Sequence, residues 1–186
     1  GRRPGAFGAM RITGGRYAGL RFTVPPGEIR PAMDRMRESL FGSLGPLDGR
    51  TVLDLFSGSG SMALEAASRG AASITAVERD PKKIRLLKKN LALVDTPSTV
   101  VSWPAERFVL RGQGSFDLVF LDPPFRYPHK VDLLKRLAEA KIISSGALII
   151  LHSPKEDPLE GVPGALQEQA VSRFGRSTVY RFTKTQ

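Results

Sequence analysis

From Thr51 to His152, short apolar runs alternate with helical stripes, and this alternation restricts the possible fold more than any other feature of the chain. Strand-like runs fall at 51–56, 73–78, 98–102, 116–121 and 146–152, separated by helical patterns at 61–69, 81–93, 105–110 and 129–140. Strands separated by helices return in parallel through right-handed crossovers, so the region reads as a doubly wound, mostly parallel α/β sheet covered on both faces. The last forty residues change character. Runs at 167–174 and 177–184 flank Gly175-Arg176 and read as an antiparallel hairpin that completes the sheet edge. At 186 residues and 41% hydrophobic content the chain can bury one core without staples. It contains no cysteine, which excludes a disulfide framework and any cysteine-ligated metal.

Ahead of this core, Arg11–Val24 alternates around Gly14-Gly15 and reads as a short hairpin closed by Pro25-Pro26-Gly27. From about Ala32, Met33, Met36, Leu40, Phe41 and Leu44 follow a helical stripe that Gly45-Pro46 stops, with Asp34, Arg35, Arg37 and Glu38 on the other faces. Residues 10–50 are therefore an N-terminal extension and 51–186 the core domain. Residues 1–9 lack periodicity and read as a leader ahead of a natural start at Met10. The longest apolar run is far short of the ~18 residues a membrane span needs, and a soluble, cytoplasmic protein is expected, as a monomer.

Two stretches carry chemistry. In the first, Thr51-Val-Leu-Asp-Leu-Phe-Ser-Gly-Ser-Gly60, a strand runs into a glycine turn and then a helix, an arrangement that aims backbone N–H groups at a bound cofactor. Gly58-Ser-Gly60-Ser-Met-Ala63 matches the G-x-G-x-x-A dinucleotide fingerprint, and Glu78 ends the next strand, where a carboxylate can take both hydroxyls of a ribose. A glycine turn alone is compatible with a purely structural role; Glu78 shifts the balance to an adenosine cofactor. Asp54, inside the first strand, suits the ammonium of a methionine moiety and would repel a pyrophosphate, so S-adenosylmethionine fits better than a dinucleotide.

In the second stretch, Leu121-Asp-Pro-Pro-Phe125, a carboxylate, two prolines and an aromatic stand where a buried strand stops. An exocyclic base amine is a poor nucleophile because its lone pair is delocalised into the ring. If Asp122 and the Pro123 carbonyl each accept one of its N–H groups, the lone pair is freed and aimed, while Phe125 stacks on the extruded base. No metal is required for such a transfer. An ordinary turn is the structural alternative for Asp-Pro-Pro. The net charge of +10, with nine arginines and no lysine in the first fifty residues, favours a polyanionic partner. Lys82, Lys83, Arg85, Lys88 and Lys89 form a basic helix that reads as a solvated face with a capacity for steering RNA. His129 and His152 are isolated in sequence, and neither has a partner at metal-ligand spacing.

In order and spacing, Asp54-Leu-Phe-Ser-Gly-Ser-Gly60, Glu78 and Asp122-Pro-Pro-Phe125 resemble class I S-adenosylmethionine-dependent amino-methyltransferases. Arg11-Ile-Thr-Gly-Gly15 and Arg30-Pro-Ala-Met-Asp-Arg-Met-Arg-Glu-Ser-Leu-Phe41 narrow the resemblance to the RsmD family of bacterial 16S ribosomal RNA guanine-N2 methyltransferases. The resemblance spans Met10 to about Thr183. It implies S-adenosylmethionine held by Asp54, Phe56, Ser57, Gly58, Gly60, Glu78 and Arg79, catalysis by Asp122, Pro123, Pro124 and Phe125, and RNA contacts from Arg11, Arg16, Arg30, Arg35 and Arg37. Where the family carries a polar residue after the third strand this chain has Trp103-Pro104-Ala105-Glu106, so the adenine contact is expected from Glu106 and the backbone near Ala105. The implied partner is 16S RNA or a partly assembled small ribosomal subunit. Two rival readings are an adenine-N6 DNA methyltransferase, for which a target-recognition segment is missing, and a catalytically idle RNA-binding assembly factor.

Overall fold

A computed structural model of the chain describes residues 6–28 and 31–186. In chain order the elements are β1 (Gly8–Arg11), β2 (Arg21–Val24), α1 (Pro31–Leu44), β3 (Thr51–Leu55), α2 (Ser61–Ser68), β4 (Ser73–Val77), α3 (Pro81–Leu91), β5 (Ser98–Val101), α4 (Ala105–Arg111), β6 (Phe116–Leu121), α5 (Lys130–Glu139), β7 (Ile143–Pro154), β8 (Leu166–Phe174) and β9 (Ser177–Lys184). The main sheet runs β5-β4-β3-β6-β7-β9-β8, parallel as far as β7, with β9 antiparallel to β7 and to β8. This is the expected doubly wound architecture with its antiparallel C-terminal hairpin. The strand order reverses between β3 and β6, the switch point where such sheets open a crevice. No helix among the described residues is long and apolar enough to cross a membrane.

Alternation along the strands splits the core into two layers. Val52, Ile74, Leu118 and Phe120 face α1, α2, α3 and the β1–β2 pair, while Leu53, Leu55, Val119 and Leu121 face α4 and α5. Met10, Ile12, Phe22 and Val24 belong to the first layer, so the N-terminal extension completes the core. The ring of Phe41 from α1 packs 5.3 Å from that of Phe120 on β6.

Three expectations for the extension are corrected. Residues 8 and 9, assigned to a leader, pair in β1 as Gly8↔Val24 and Ala9↔Thr23. Gly14-Gly15 does not form a tight hairpin turn; residues 12–20 cross the end of α2 instead. There the Arg16 N–H donates to the Ser68 carbonyl at 2.8 Å and the Tyr17 N–H to Ser68 Oγ at 2.9 Å. A Cβ on Gly15 would lie 2.1 Å from the Ser68 carbonyl oxygen, so close backbone approach is what demands glycine here.

The third correction is Arg37, expected on RNA. Its side chain is fully buried, donating to Glu65 at 3.0 Å, to Asp34 at 2.5 Å and to the Arg11 carbonyl at 3.0 Å. Burial pushes the guanidinium below its ordinary value, and Glu65 and Asp34 oppose that shift. Glu65, equally buried, also accepts the Thr13 N–H at 2.5 Å and Arg69 Nε at 3.4 Å. A carboxylate on α2 thus bonds to α1 and to the 12–20 segment. Glu65→Ala leaves the buried Arg37 guanidinium with only the partly exposed Asp34 carboxylate as counter-charge and takes the acceptor from the Thr13 N–H, so it should lose about 3–5 kcal/mol of stability. Denaturant unfolding measures this; a loss below about 1 kcal/mol would mean that the extension is held by its other hydrogen bonds and apolar packing without need of Glu65.

Candidate active site

A cleft of about 650 Å³ opens over the carboxyl ends of β3, β4 and β6. Its wall carries Phe56, Ser57 and Gly58 from the turn after β3, Glu78 and Arg79 after β4, Glu106 from α4, and Asp122, Pro123, Pro124 and Phe125 after β6. The chain makes the first turn by placing Phe56 at φ 58° and Gly58 at φ 59°, and enters α2 through Gly60 at φ 88°. A Cβ on Gly60 would meet Leu87 Cδ1 at 2.8 Å. The Ser57 N–H donates to the Val77 carbonyl at 3.0 Å, which ties the turn to β4.

Three of the expected cofactor contacts, Asp54, Gly60 and Ala105, lie behind this wall instead of lining it. Asp54 is 1% exposed and its carboxylate accepts the Ser57 hydroxyl at 2.7 Å and an N–H of Ala63 in the first turn of α2. Burial pushes the Asp54 carboxyl up to about 7, with the Ser57 hydroxyl opposing and the charges of Asp122 and Glu78 adding to the shift. Its direct partners are the turn and the helix, so it shapes the floor on which a ligand would sit. Glu78 does line the cleft, and its carboxylate accepts three backbone N–H groups: Gly58 at 2.9 Å, Arg79 at 2.8 Å and Asp80 at 2.9 Å. A carboxylate offers about four acceptor directions, so three are engaged in shaping the two turns.

The Asp-Pro-Pro-Phe loop is held on its C-terminal side. The Tyr127 N–H donates to the Pro124 carbonyl at 3.0 Å, and Arg126, at φ 58°, donates its N–H to Asp157 Oδ2 at 2.8 Å. Asp157 in turn accepts Lys130 Nζ at 2.5 Å, and this partner holds the Asp157 carboxyl below its ordinary range. Phe125 remains 57% exposed on the loop, with the Arg126 guanidinium 5.2 Å from its ring centroid. Opposite, Tyr127 donates its hydroxyl to Glu106 Oε1 and packs edge-on against Phe56, with ring centroids 5.2 Å apart. Burial and Glu106 raise the Tyr127 phenol above its ordinary value.

Sequence reasoning missed Tyr127, Asp157 and His152. His152, isolated in sequence, lines the same cleft and places Nδ1 2.8 Å from Asp122 Oδ1. It stands one residue beyond the Leu121↔Leu151 pair of neighbouring parallel strands, a relation that only the sheet register shows. Of the arginines, Arg11 and Arg35 are exposed. Arg16 sits at the opposite end of α2 from the glycine turn, about 12 Å along an eight-residue helix, and pairs with Asp95 at 3.3 Å. Arg30 lies outside the described residues.

Comparison with known proteins settles the family. A family described as "Conserved hypothetical protein 95" matches residues 10–183. The chain belongs to the RsmD family. Ribosomal RNA small subunit methyltransferase D of Escherichia coli is 38% identical over 160 residues, 84% of this chain and 80% of that protein. The putative rRNA methyltransferase YlbH of Bacillus subtilis is 31% identical over 182 residues, covering 94% and 99%. Among solved structures, the putative methyltransferase yhhF from E. coli superposes with a TM-score of 0.85 at 34% identity, covering 96% of this chain and 99% of that one. The fold of this RsmD-family chain is that of the class I methyltransferases.

The Asp54 carboxyl yields a test of the floor beneath the cleft. A carboxyl whose folded value is raised contributes stability that is fully present below its unfolded value of 3.8 and is lost as the pH rises through about 7. The stability difference between the parent and Asp54→Asn should therefore shrink with rising pH across this window, with a slope approaching ~1.4 kcal/mol per pH unit. Unfolding curves at pH 5 to 8 and fixed ionic strength give that slope, whatever the variant does to absolute stability. A pH-independent difference would place the Asp54 carboxyl near its ordinary value.

Proposed function

We propose that this RsmD-family chain transfers the methyl group of S-adenosylmethionine to the exocyclic N2 of a guanine in small-subunit ribosomal RNA. The observation carrying this reading is that the glycine turn, Glu78 and the Asp122-Pro-Pro-Phe125 loop wall a single cleft at the sheet's switch point. The residues fit the cofactor: the cleft volume lies in the range of small-molecule sites, a glycine turn opens onto it, and the Glu78 carboxylate lines it for a ribose hydroxyl. Phe56, Ser57, Gly58, Glu78 and Arg79 would hold it, with Glu106 toward the adenine. When bound, S-adenosylmethionine supplies an electrophilic methyl on a sulfonium.

The chain's own residues do the remaining work. Phe125, exposed at the cleft mouth, offers a stacking face to a base drawn out of its neighbours, worth ~1–3 kcal/mol. Asp122 accepts an N–H of the base amine, and the Pro123 carbonyl accepts the other, so the nitrogen lone pair is no longer spread into the ring. The nitrogen so held would be the nucleophile toward the sulfonium methyl that the cofactor would supply, and Asp122 would take the surplus amine proton. These contributions are positioning and electrostatics. Arg11 and Arg35 are exposed and are the RNA contacts retained from the sequence reading.

Incubation with small-subunit RNA or partly assembled subunits and labelled cofactor, followed by mass-spectrometric nucleoside analysis, should yield N2-methylguanine. N6-methyladenine would overturn the substrate, and an absence of product on both substrates would favour the assembly-factor reading. Asp122→Ala should collapse single-turnover transfer while cofactor affinity stays near parental, because it removes an interaction realised in the transition state. For RNA binding, Arg35→Ala should lower the log–log salt slope by ~0.7 for a single-stranded contact. An unchanged slope would assign Arg35 to solvent.

A further inference from the structure

The proposed chemistry depends on which way a carboxylate faces. Asp122 stands at the open end of β6, past the last paired residue of the strand, with its side chain 41% exposed. Nothing in the strand's own hydrogen bonding fixes the rotation of such a side chain, and a carboxylate free to turn would meet a base amine in many orientations. The sheet register supplies the missing constraint. Leu121 pairs with Leu151 in the parallel β6–β7 ladder, so Asp122 and His152 are the next residues on adjacent strands. Strand alternation puts them on the same face as Phe120 and Ile150, both buried in the layer beneath α1 and α2. His152 is held between neighbours: its strand pairs on the far side with β9 as His152↔Val179, and its side chain is only 14% exposed. Its imidazole Nδ1 lies 2.8 Å from Asp122 Oδ1.

We infer that His152 is a positioning residue for methyl transfer, holding Oδ1 of Asp122 through Nδ1–H so that Oδ2 is the oxygen presented to the base amine. A carboxylate only accepts, so the proton of this hydrogen bond is on Nδ1. The bond stands in the protein before the base arrives, which removes the cost of orienting Asp122 during the reaction. His152 touches neither the reacting nitrogen nor the methyl; it acts through Asp122. Lys130, Arg126 and Asp157 brace the backbone that follows Phe125, whereas His152 is bonded to the Asp122 carboxylate itself.

This inference rests on the reading of Asp122 as the amine acceptor, and the experiment separates the two. His152→Ala, His152→Asn, Asp122→Ala and the double variant His152→Ala/Asp122→Ala are compared by single-turnover methyl transfer to small-subunit RNA. Cofactor affinity by calorimetry and thermal unfolding are followed in parallel. Losing one charge-assisted hydrogen bond should slow His152→Ala by about tenfold to a hundredfold with cofactor affinity unchanged. Asn carries its amide nitrogen the same number of bonds from Cβ as Nδ1, so His152→Asn should recover most of that loss. In the Asp122→Ala background, where the held group is gone, His152→Ala should have no further effect. Parental rates in His152→Ala, a failure of Asn to rescue, or a full additive loss in the double variant would each overturn the positioning role. If Asp122→Ala itself transfers at the parental rate, the catalytic reading of Asp122 fails and this inference fails with it.

Discussion

Strand β3 has parallel neighbours on both sides, and the helices that follow the strands leave to opposite faces of the sheet. At that reversal, between β3 and β6, a cleft opens over the carboxyl end of the sheet, and the rest of the molecule is arranged around it. The glycine turn, the Glu78 turn and the Asp122 loop are the ends of three strands that register brings side by side: Leu55 pairs with Val77 on one side and with Leu121 on the other. Residues far apart in sequence become a single wall because the backbone ladder has a fixed spacing.

Carboxylates divide the work around this cleft according to burial. Asp54 is enclosed and joins a turn to a helix; Glu78 borders the cleft and gives most of its acceptor capacity to backbone N–H groups; Asp122 is the most open. A buried carboxylate without donors would cost several kcal/mol. The enclosed acids are therefore met by local donors, Asp54 by a hydroxyl and an N–H and Glu78 by three N–H groups, while Asp122 is the acid most open to the cleft. Asp54 and Glu78 look alike in a sequence motif and differ in what they have left to offer.

The core fold was legible because periodicity reports burial directly: every strand and helix from Thr51 to Lys184 falls within a few residues of its sequence reading. The cleft residues were legible where a motif ends a strand. What escaped were contacts set by tertiary packing. Arg37 looked like surface charge because its helical position neighbours polar residues, yet its partner Glu65 lies on another helix. Gly14-Gly15 looked like a turn because a glycine pair has the same appearance whether it must bend or must let another backbone approach. His152 looked solitary because its partner is a neighbour across a ladder, and no spacing along the chain encodes that relation.

The extension is buried against residues that come later in the chain. The Thr23 backbone exchanges hydrogen bonds with the side-chain amide of Asn90, 67 residues downstream, the Arg16 N–H donates to the Ser68 carbonyl, and the ring of Phe41 packs on Phe120. During synthesis the extension therefore waits for α2, α3 and β6, which follow it in the chain, to supply the surfaces that bury it. Met10, Phe22 and Phe41 are open to chaperones through that interval, so the order of translation bears on how safely this chain reaches its native state.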